Sequence, residues 1–271
     1  MRIGLVQCVS EAGNITANLA TVRIWAQSAV EEACDMLCFP EYALTGAPKN
    51  KNGAPACVCG AQTFSALSEI AEEQRLTLLV GGMRESDGYV YSSCIVSRPN
   101  GDILFLDKLH PGTSEKESLS AGRELRSFQS SDSKWRFSAL LCNDWHQPWC
   151  SFLLAHQGAR ILFAPFSTPH KPARRIEIWR RFMPARAYDC RSFILACNRM
   201  RENGQGGGLA AWGPDGAELY SFDKAVPNLG MIDLPVESLA MYTAANNGMK
   251  DKDFPAELNK DAMRFNLNRV H

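Results

Sequence analysis

The chain has 271 residues, near the upper limit of what one hydrophobic core supports. Hydrophobic residues make up 45% and charged residues 21%, an ordinary globular mix that excludes wholesale disorder. Lys plus Arg (29) balances Asp plus Glu (29), so the basic excess that a general nucleic-acid binder needs is missing. No apolar run approaches the ~18–20 residues that cross a bilayer. We therefore expect no nucleic-acid partner, no membrane partner and a cytoplasmic location.

Residues 2–8 read as a short apolar strand, too soon interrupted for a signal peptide. Over 14–33, Ile15, Leu19, Val22, Trp25, Ala29 and Ala33 recur at helical spacing. A buried strand at 36–39 ends on Pro40 and Glu41. Phe64, Leu67, Ile70 and Ala71 mark a second amphipathic helix, followed by a strand at 76–80 and two glycines. Strands at 89–97 and 103–107 flank the turn Pro99-Asn100-Gly101-Asp102. Residues 135–141 form a strand running into Cys142, and Pro148 opens a helix that Gly158 closes. A strand at 160–164, a helix over 176–188 and a strand at 193–197 follow. The chain then gives a Gly-rich turn at 204–208, a hairpin turning at 213–216 and a last strand near 229–234. Strands alternating with helices predict an α/β layered fold, and no repeat or linker interrupts it. We expect one domain over 1–271, with a polar tail from about 250.

Ten cysteines scattered through hydrophobic runs read as reduced, buried thiols. Cys57 and Cys59 form a lone C-x-C without a second pair at zinc spacing, so no metal site is expected there. Three other residues stand at strand ends, where α/β folds present functional groups: Glu41, Lys108 and Cys142. A helix starting soon after Cys142, or a nearby lysine, would favour its thiolate. Together they offer a proton acceptor, an electrostatic stabiliser and a nucleophile.

The segments FPEYALTG (39–46), LDKLHPG (106–112), ALLCNDW (139–145) and PARAYD (184–189), with GGGLAAWGPDGAEL (206–219), resemble the nitrilase superfamily of carbon–nitrogen hydrolases. Cys142-Asn143-Asp144 and the run STPH (167–170) are closest in flavour to the N-carbamoyl-amino-acid amidohydrolase branch. The resemblance implies a four-layer α-β-β-α sandwich and a homodimer or higher homo-oligomer paired through 148–157 and 176–190. It implies a Glu41–Lys108–Cys142 triad, with a second glutamate at Glu115 or, less well aligned, Glu117. Asn143 would give a backbone N–H to the oxyanion, and Trp145 and His146 would border the substrate. The implied activity is hydrolysis of a small amide or ureido compound through a thioester, with no metal or organic cofactor. A nitrile hydrolase is the alternative within this chemistry, and a catalytically inactive interaction protein the alternative outside it.

The carbamoyl branch has arginines just after the nucleophile to hold the substrate carboxylate; here the chain reads Trp145-His146-Gln147-Pro148-Trp149. A neutral or aromatic amide, or a cyclic or ureido compound lacking an α-carboxylate, is therefore the expected substrate, with Trp149 in the helix core and Arg174 and Arg175 as an alternative clamp.

Overall fold

The computed structural model describes residues 1–47, 57–131, 134–201 and 203–235. The tail from about 250 lies outside the described residues. Among those described, no helix is long and apolar enough to cross a membrane.

The first half of the chain runs β1 (Arg2–Gln7), α1 (Ile15–Glu31), β2 (Met36–Cys38), α2 (Ala61–Gln74), β3 (Thr77–Ser86), β4 (Tyr89–Ser97) and β5 (Ile103–Asp107). Asn14 caps α1, its side chain accepting from the Ala17 amide at 3.1 Å. The second half runs β6 (Phe128–Gln129), β7 (Arg136–Ala139), α3 (Pro148–His156), β8 (Ala159–Phe166), α4 (Pro172–Trp179), α5 (Met183–Cys190), β9 (Phe193–Asn198), β10 (Leu209–Trp212), β11 (Glu218–Phe222) and β12 (Asn228–Asp233).

These strands form two six-stranded sheets, ordered β12-β1-β2-β3-β4-β5 and β11-β10-β9-β8-β7-β6. Leu5, Cys38, Leu79 and Cys94 of one sheet meet Phe137, Phe163, Leu195 and Ala211 of the other in a dry core. A second apolar cluster seats α1 and α2 on the outer face of the first sheet through Val22, Ala26, Leu67 and Ile70. A third seats α3, α4 and α5 on the second through Leu154, Ile176, Trp179 and Ala187. The architecture is the expected α-β-β-α sandwich.

Two details depart from expectation. The helix expected over 176–188 is two helices, because Pro184 has no N–H to donate and is tolerated only in the first turn of α5. The strand expected at 76–80 runs on to Ser86, because Gly81 and Gly82 stay paired with Cys94 and Ser93.

β1, β2 and β3 are mutually parallel, as are β7, β8 and β9. A parallel bridge between Val9 and Met200 ties the continuation of β1 to that of β9. The C-terminal ends of both parallel sets thus open at one end of the sandwich, where such folds place their sites. All ten cysteines are free, and even Cys38 and Cys197, facing each other across the core, keep their sulfurs 3.8 Å apart.

Candidate active site

At that end of the sandwich, Glu41 follows β2, Lys108 follows β5 and Cys142 follows β7. Lys108 is 1% exposed, and its ammonium donates to Glu41 Oε1 at 2.8 Å and to Glu115 Oε2 and Oε1 at 2.7 and 3.0 Å. Of the two candidate glutamates Glu115 is the one that reaches Lys108, while Glu117 is exposed to solvent. Ser92 donates to Glu41 Oε1 at 3.1 Å, and the Tyr42 hydroxyl donates to Glu115 Oε1 at 2.6 Å. A buried cation between one buried and one partly buried carboxylate is tolerable only because every one of these groups is hydrogen-bonded.

The charges bias each group differently. Burial pushes Glu41 above the usual carboxylate range, and Lys108 works against that. Glu115 is held low, the penalty of burial being outweighed by Lys108 and by donors from Tyr42 and the Gly112 amide. Burial lowers Lys108, but Glu41, Cys142 and Glu115 more than reverse it, so the ammonium stays charged. The Cys142 thiol is pushed up to about 12, by burial first and Glu41 next, against the opposing pull of Lys108 and the Ser167 backbone. Burial and Glu41 thus outweigh the pull of Lys108 toward the thiolate. Glu41, raised toward its neutral form and acting on the thiol through its charge, is the group there chemically suited to accept a proton.

Cys142 opens a 3-10 turn, Cys142–His146, with a left-handed φ of 44°. A non-glycine residue held there stores strain, and such strain gathers at reactive positions. Asp144 fixes the turn. It is 1% exposed, and its carboxylate accepts from the amides of Leu141 (3.3 Å), Leu109 (3.3 Å) and His110 (2.8 Å), and contacts His110 Nδ1 at 3.0 Å. One side chain thus ties the nucleophile turn to the loop leaving Lys108.

Not every expected neighbour faces the site. Trp145 is 1% exposed and packed in the helix-side core, its indole donating to the Leu140 carbonyl at 2.8 Å, so it has no free face for substrate. The expectation for Trp149 also fails, because it stands half exposed on α3 and touches His110 edge-on. Neither indole holds the place expected for it: Trp145 takes the core position and Trp149 faces solvent. Asn143 turns its side chain to the His110 carbonyl at 3.0 Å. His146 is exposed against the Phe182 ring, and burial and then Arg175 lower its imidazole, favouring the neutral form.

Gly81 is a support the motifs did not flag. A Cβ there would lie 2.3 Å from the Pro40 carbonyl and 2.5 Å from the Glu41 Cα. Gly81→Ala is expected to displace the Glu41 segment and destabilise the protein by about 1–3 kcal/mol. Turnover should fall with it, and thermal unfolding alongside kinetics on the same preparation checks both.

A buried, hydrogen-bonded Glu–Lys–Glu cluster beside a strained cysteine is equipped to form and break a covalent bond at a polarised carbon. Residues 2–237 match the family model described as carbon–nitrogen hydrolase. The chain belongs to the carbon–nitrogen hydrolase family. A comparison with curated protein sequences gives no significant match. Among solved structures, this carbon–nitrogen hydrolase is similar to a cysteine-to-alanine mutant of the Nesterenkonia AN1 amidase from the nitrilase superfamily. The identity is 22%, 96% of each chain is covered and the TM-score is 0.78. A glutamate-to-glutamine mutant of the amidase from Nesterenkonia sp. AN1, carrying the result of Michael addition of acrylamide at the active site cysteine, matches at 21% identity. That match covers 96% of this chain and 99% of that one, with a TM-score of 0.76. A glutamate-to-leucine mutant carries the acetamide moiety of fluoroacetamide on the cysteine and matches at 21% identity, 96% coverage of each chain and a TM-score of 0.75.

Proposed function

We propose that this carbon–nitrogen hydrolase cleaves a non-peptide amide or carbamoyl bond of a small molecule, with Cys142 as nucleophile. The single observation that carries the reading is the Lys108 ammonium gripped by Glu41 and Glu115 at 2.7–3.0 Å beside the Cys142 thiol. Glu41 takes the thiol proton as the sulfur attacks the carbonyl carbon. Lys108 and the Asn143 backbone N–H hold the oxyanion, each such donor being worth ~10²–10³ in rate. Collapse of the tetrahedral intermediate breaks the carbon–nitrogen bond, and Glu41 passes the proton to the departing amine or ammonia. Water, deprotonated by Glu41, then cleaves the thioester and returns the thiol. Glu115 keeps Lys108 aimed at the oxygen. The covalent acetamide adduct on the active site cysteine of the Nesterenkonia amidase fits this class of reaction. Ammonia release from a panel of small amides, ureido acids and nitriles tests the reading. Turnover of nitriles alone would replace it by a nitrilase.

The helices on the outer face of the second sheet favour self-association. Trp149 on α3 and Tyr188 on α5 are 48% and 49% exposed, large apolar rings on two neighbouring helices. Burying them between copies gives a homodimer or larger oligomer, and light scattering at micromolar concentration should report at least twice the mass of the single chain. Trp149→Glu should lower that mass, and a clean monomer before mutation would reject the interface.

A further inference from the structure

Two buried guanidinium groups stand beside the Glu41–Lys108–Glu115 cluster without a carboxylate of their own. Arg175, on α4, is 3% exposed. Its Nη1 donates to Thr168 Oγ1 at 3.3 Å and its Nε has no acceptor. Arg199, just past β9, is 8% exposed, with Nε on Ser167 Oγ at 3.0 Å and Nη1 on Ser10 Oγ at 3.3 Å. Among the described residues neither has a carboxylate at ion-pair distance. Ser167 and Thr168 are consecutive, and the Ser167 backbone lies close enough to the Cys142 sulfur to favour its thiolate. The two cations therefore bracket the segment beside the nucleophile.

Arg84, by contrast, is forked onto Asp107. Arg174, next in sequence, is exposed and engaged by Glu177. Arg175 instead lies over the rings of Phe166 and Trp179, 5.1 and 5.2 Å from their centroids. Aromatic faces fix the plane of a guanidinium and offset part of its lost hydration, but they accept no N–H bond in the plane of the fork. An always-charged group buried with an unmade bond is costly unless something else completes it. Three carboxylates, Glu41, Glu115 and Asp144, lie around Cys142, but Lys108 holds the first two and the amides of Leu141, Leu109 and His110 hold the third, so none is engaged by Arg175 or Arg199.

Resting on the reading of the chain as an amide hydrolase, we propose that its substrate carries a carboxylate apart from the scissile amide, and that Arg175 binds this carboxylate through its unpartnered edge. The substrate class is a short acid that also bears an amide or ureido group. This replaces the expectation of an uncharged substrate. That expectation weighed the missing arginine directly after Cys142 above the pair Arg174 and Arg175, of which the fold buries Arg175 on α4.

The test compares succinamate with butyramide, which match in chain length and differ in the carboxylate. For the unmodified enzyme, kcat/KM for ammonia release should favour succinamate at least tenfold. In Arg175→Met, whose apolar stem keeps the packing between Phe166 and Trp179, that ratio should collapse by roughly 10²-fold, the usual scale for a buried charge pair losing one partner. Arg175→Lys should restore part of it. A purely structural Arg175 would instead lower both substrates in equal proportion, and that result, or a preference for butyramide before mutation, overturns the proposal. A second measurement needs no turnover: succinate should slow alkylation of Cys142 by iodoacetamide in the unmodified protein and not in Arg175→Met. If neither amide is hydrolysed, the amidase reading fails, while protection by succinate still sustains the anion site. Absence of protection in the unmodified protein refutes that site.

Discussion

Replacing Cys142 by alanine is expected to abolish ammonia release, by at least about 10³-fold, while the protein keeps its fold. The sulfur is the atom that forms the covalent intermediate, and no neighbouring group can stand in for it. Ser167 follows β8 close by, but its hydroxyl already accepts from Arg199. Structurally the change is small. It removes one partly exposed sulfur and leaves Asp144, the anchor of the turn, untouched, so the melting temperature should move by only a few degrees. Cys142→Ser should be nearly as inactive, since a hydroxyl in that place is harder still to deprotonate than a thiol held near 12. Residual turnover above a few per cent in the alanine variant, after contamination is excluded by an independent preparation, would remove Cys142 from the mechanism.

How far the sequence foretold this site depends on the kind of information each residue carries. Glu41, Lys108 and Cys142 could be found because each closes a run of apolar residues whose pattern announces a strand, and strand ends in layered α/β folds converge. Glu115 was narrower: two glutamates lay within reach of the same spacing, and only the turn at Gly112, where the Glu115 amide donates to the Gly112 carbonyl at 2.8 Å, selects between them. The two tryptophans were misplaced for a geometric reason. Adjacent positions on a 3-10 turn and on the following α-helix face different directions, and a strained Cys142 changes that phase without leaving a mark in the composition. Ser92 was beyond the same logic, and Arg175 could be named only as one of a pair with Arg174. A serine inside a strand has no motif, and nothing local distinguishes Arg175 from Arg174; burial beside Phe166 and Trp179 does, and burial is a property of the assembled sheet and helix. The paired helices α4 and α5 were read as one because the apolar period continues across the break, although Pro184 was there to interrupt it.

Glu41→Gln is expected to separate two properties of Cys142 that a simple loss of fold would lower together. Hydrolysis should fall by about 10²–10⁴-fold, because glutamine neither accepts the thiol proton nor delivers it to the leaving nitrogen. The reactivity of the thiol toward iodoacetamide should rise. Glu41 is the largest charge contribution holding the Cys142 thiol up, second only to burial, whereas Lys108 pulls the other way and is still held by Glu115 in the variant. At about 12 the thiol is roughly 10⁻⁴ ionised at pH 8. Each tenfold gain in thiolate is partly offset by its weaker intrinsic nucleophilicity, leaving about threefold faster alkylation. Ser92 keeps an acceptor in the glutamine carbonyl, so the local packing has no reason to change. In the unmodified enzyme, burial of Glu41 also puts the acid limb of kcat/KM above its ordinary 4.5, since the carboxylate must be ionised to act as base and activity is lost as pH falls through its raised value. In Glu41→Gln that limb should vanish from whatever activity remains. The decisive readout is the pair of rates on one preparation: hydrolysis down with alkylation up assigns Glu41 as the proton acceptor, whereas both falling together would mean that Glu41 serves only to hold Lys108 and the fold around Cys142 in place.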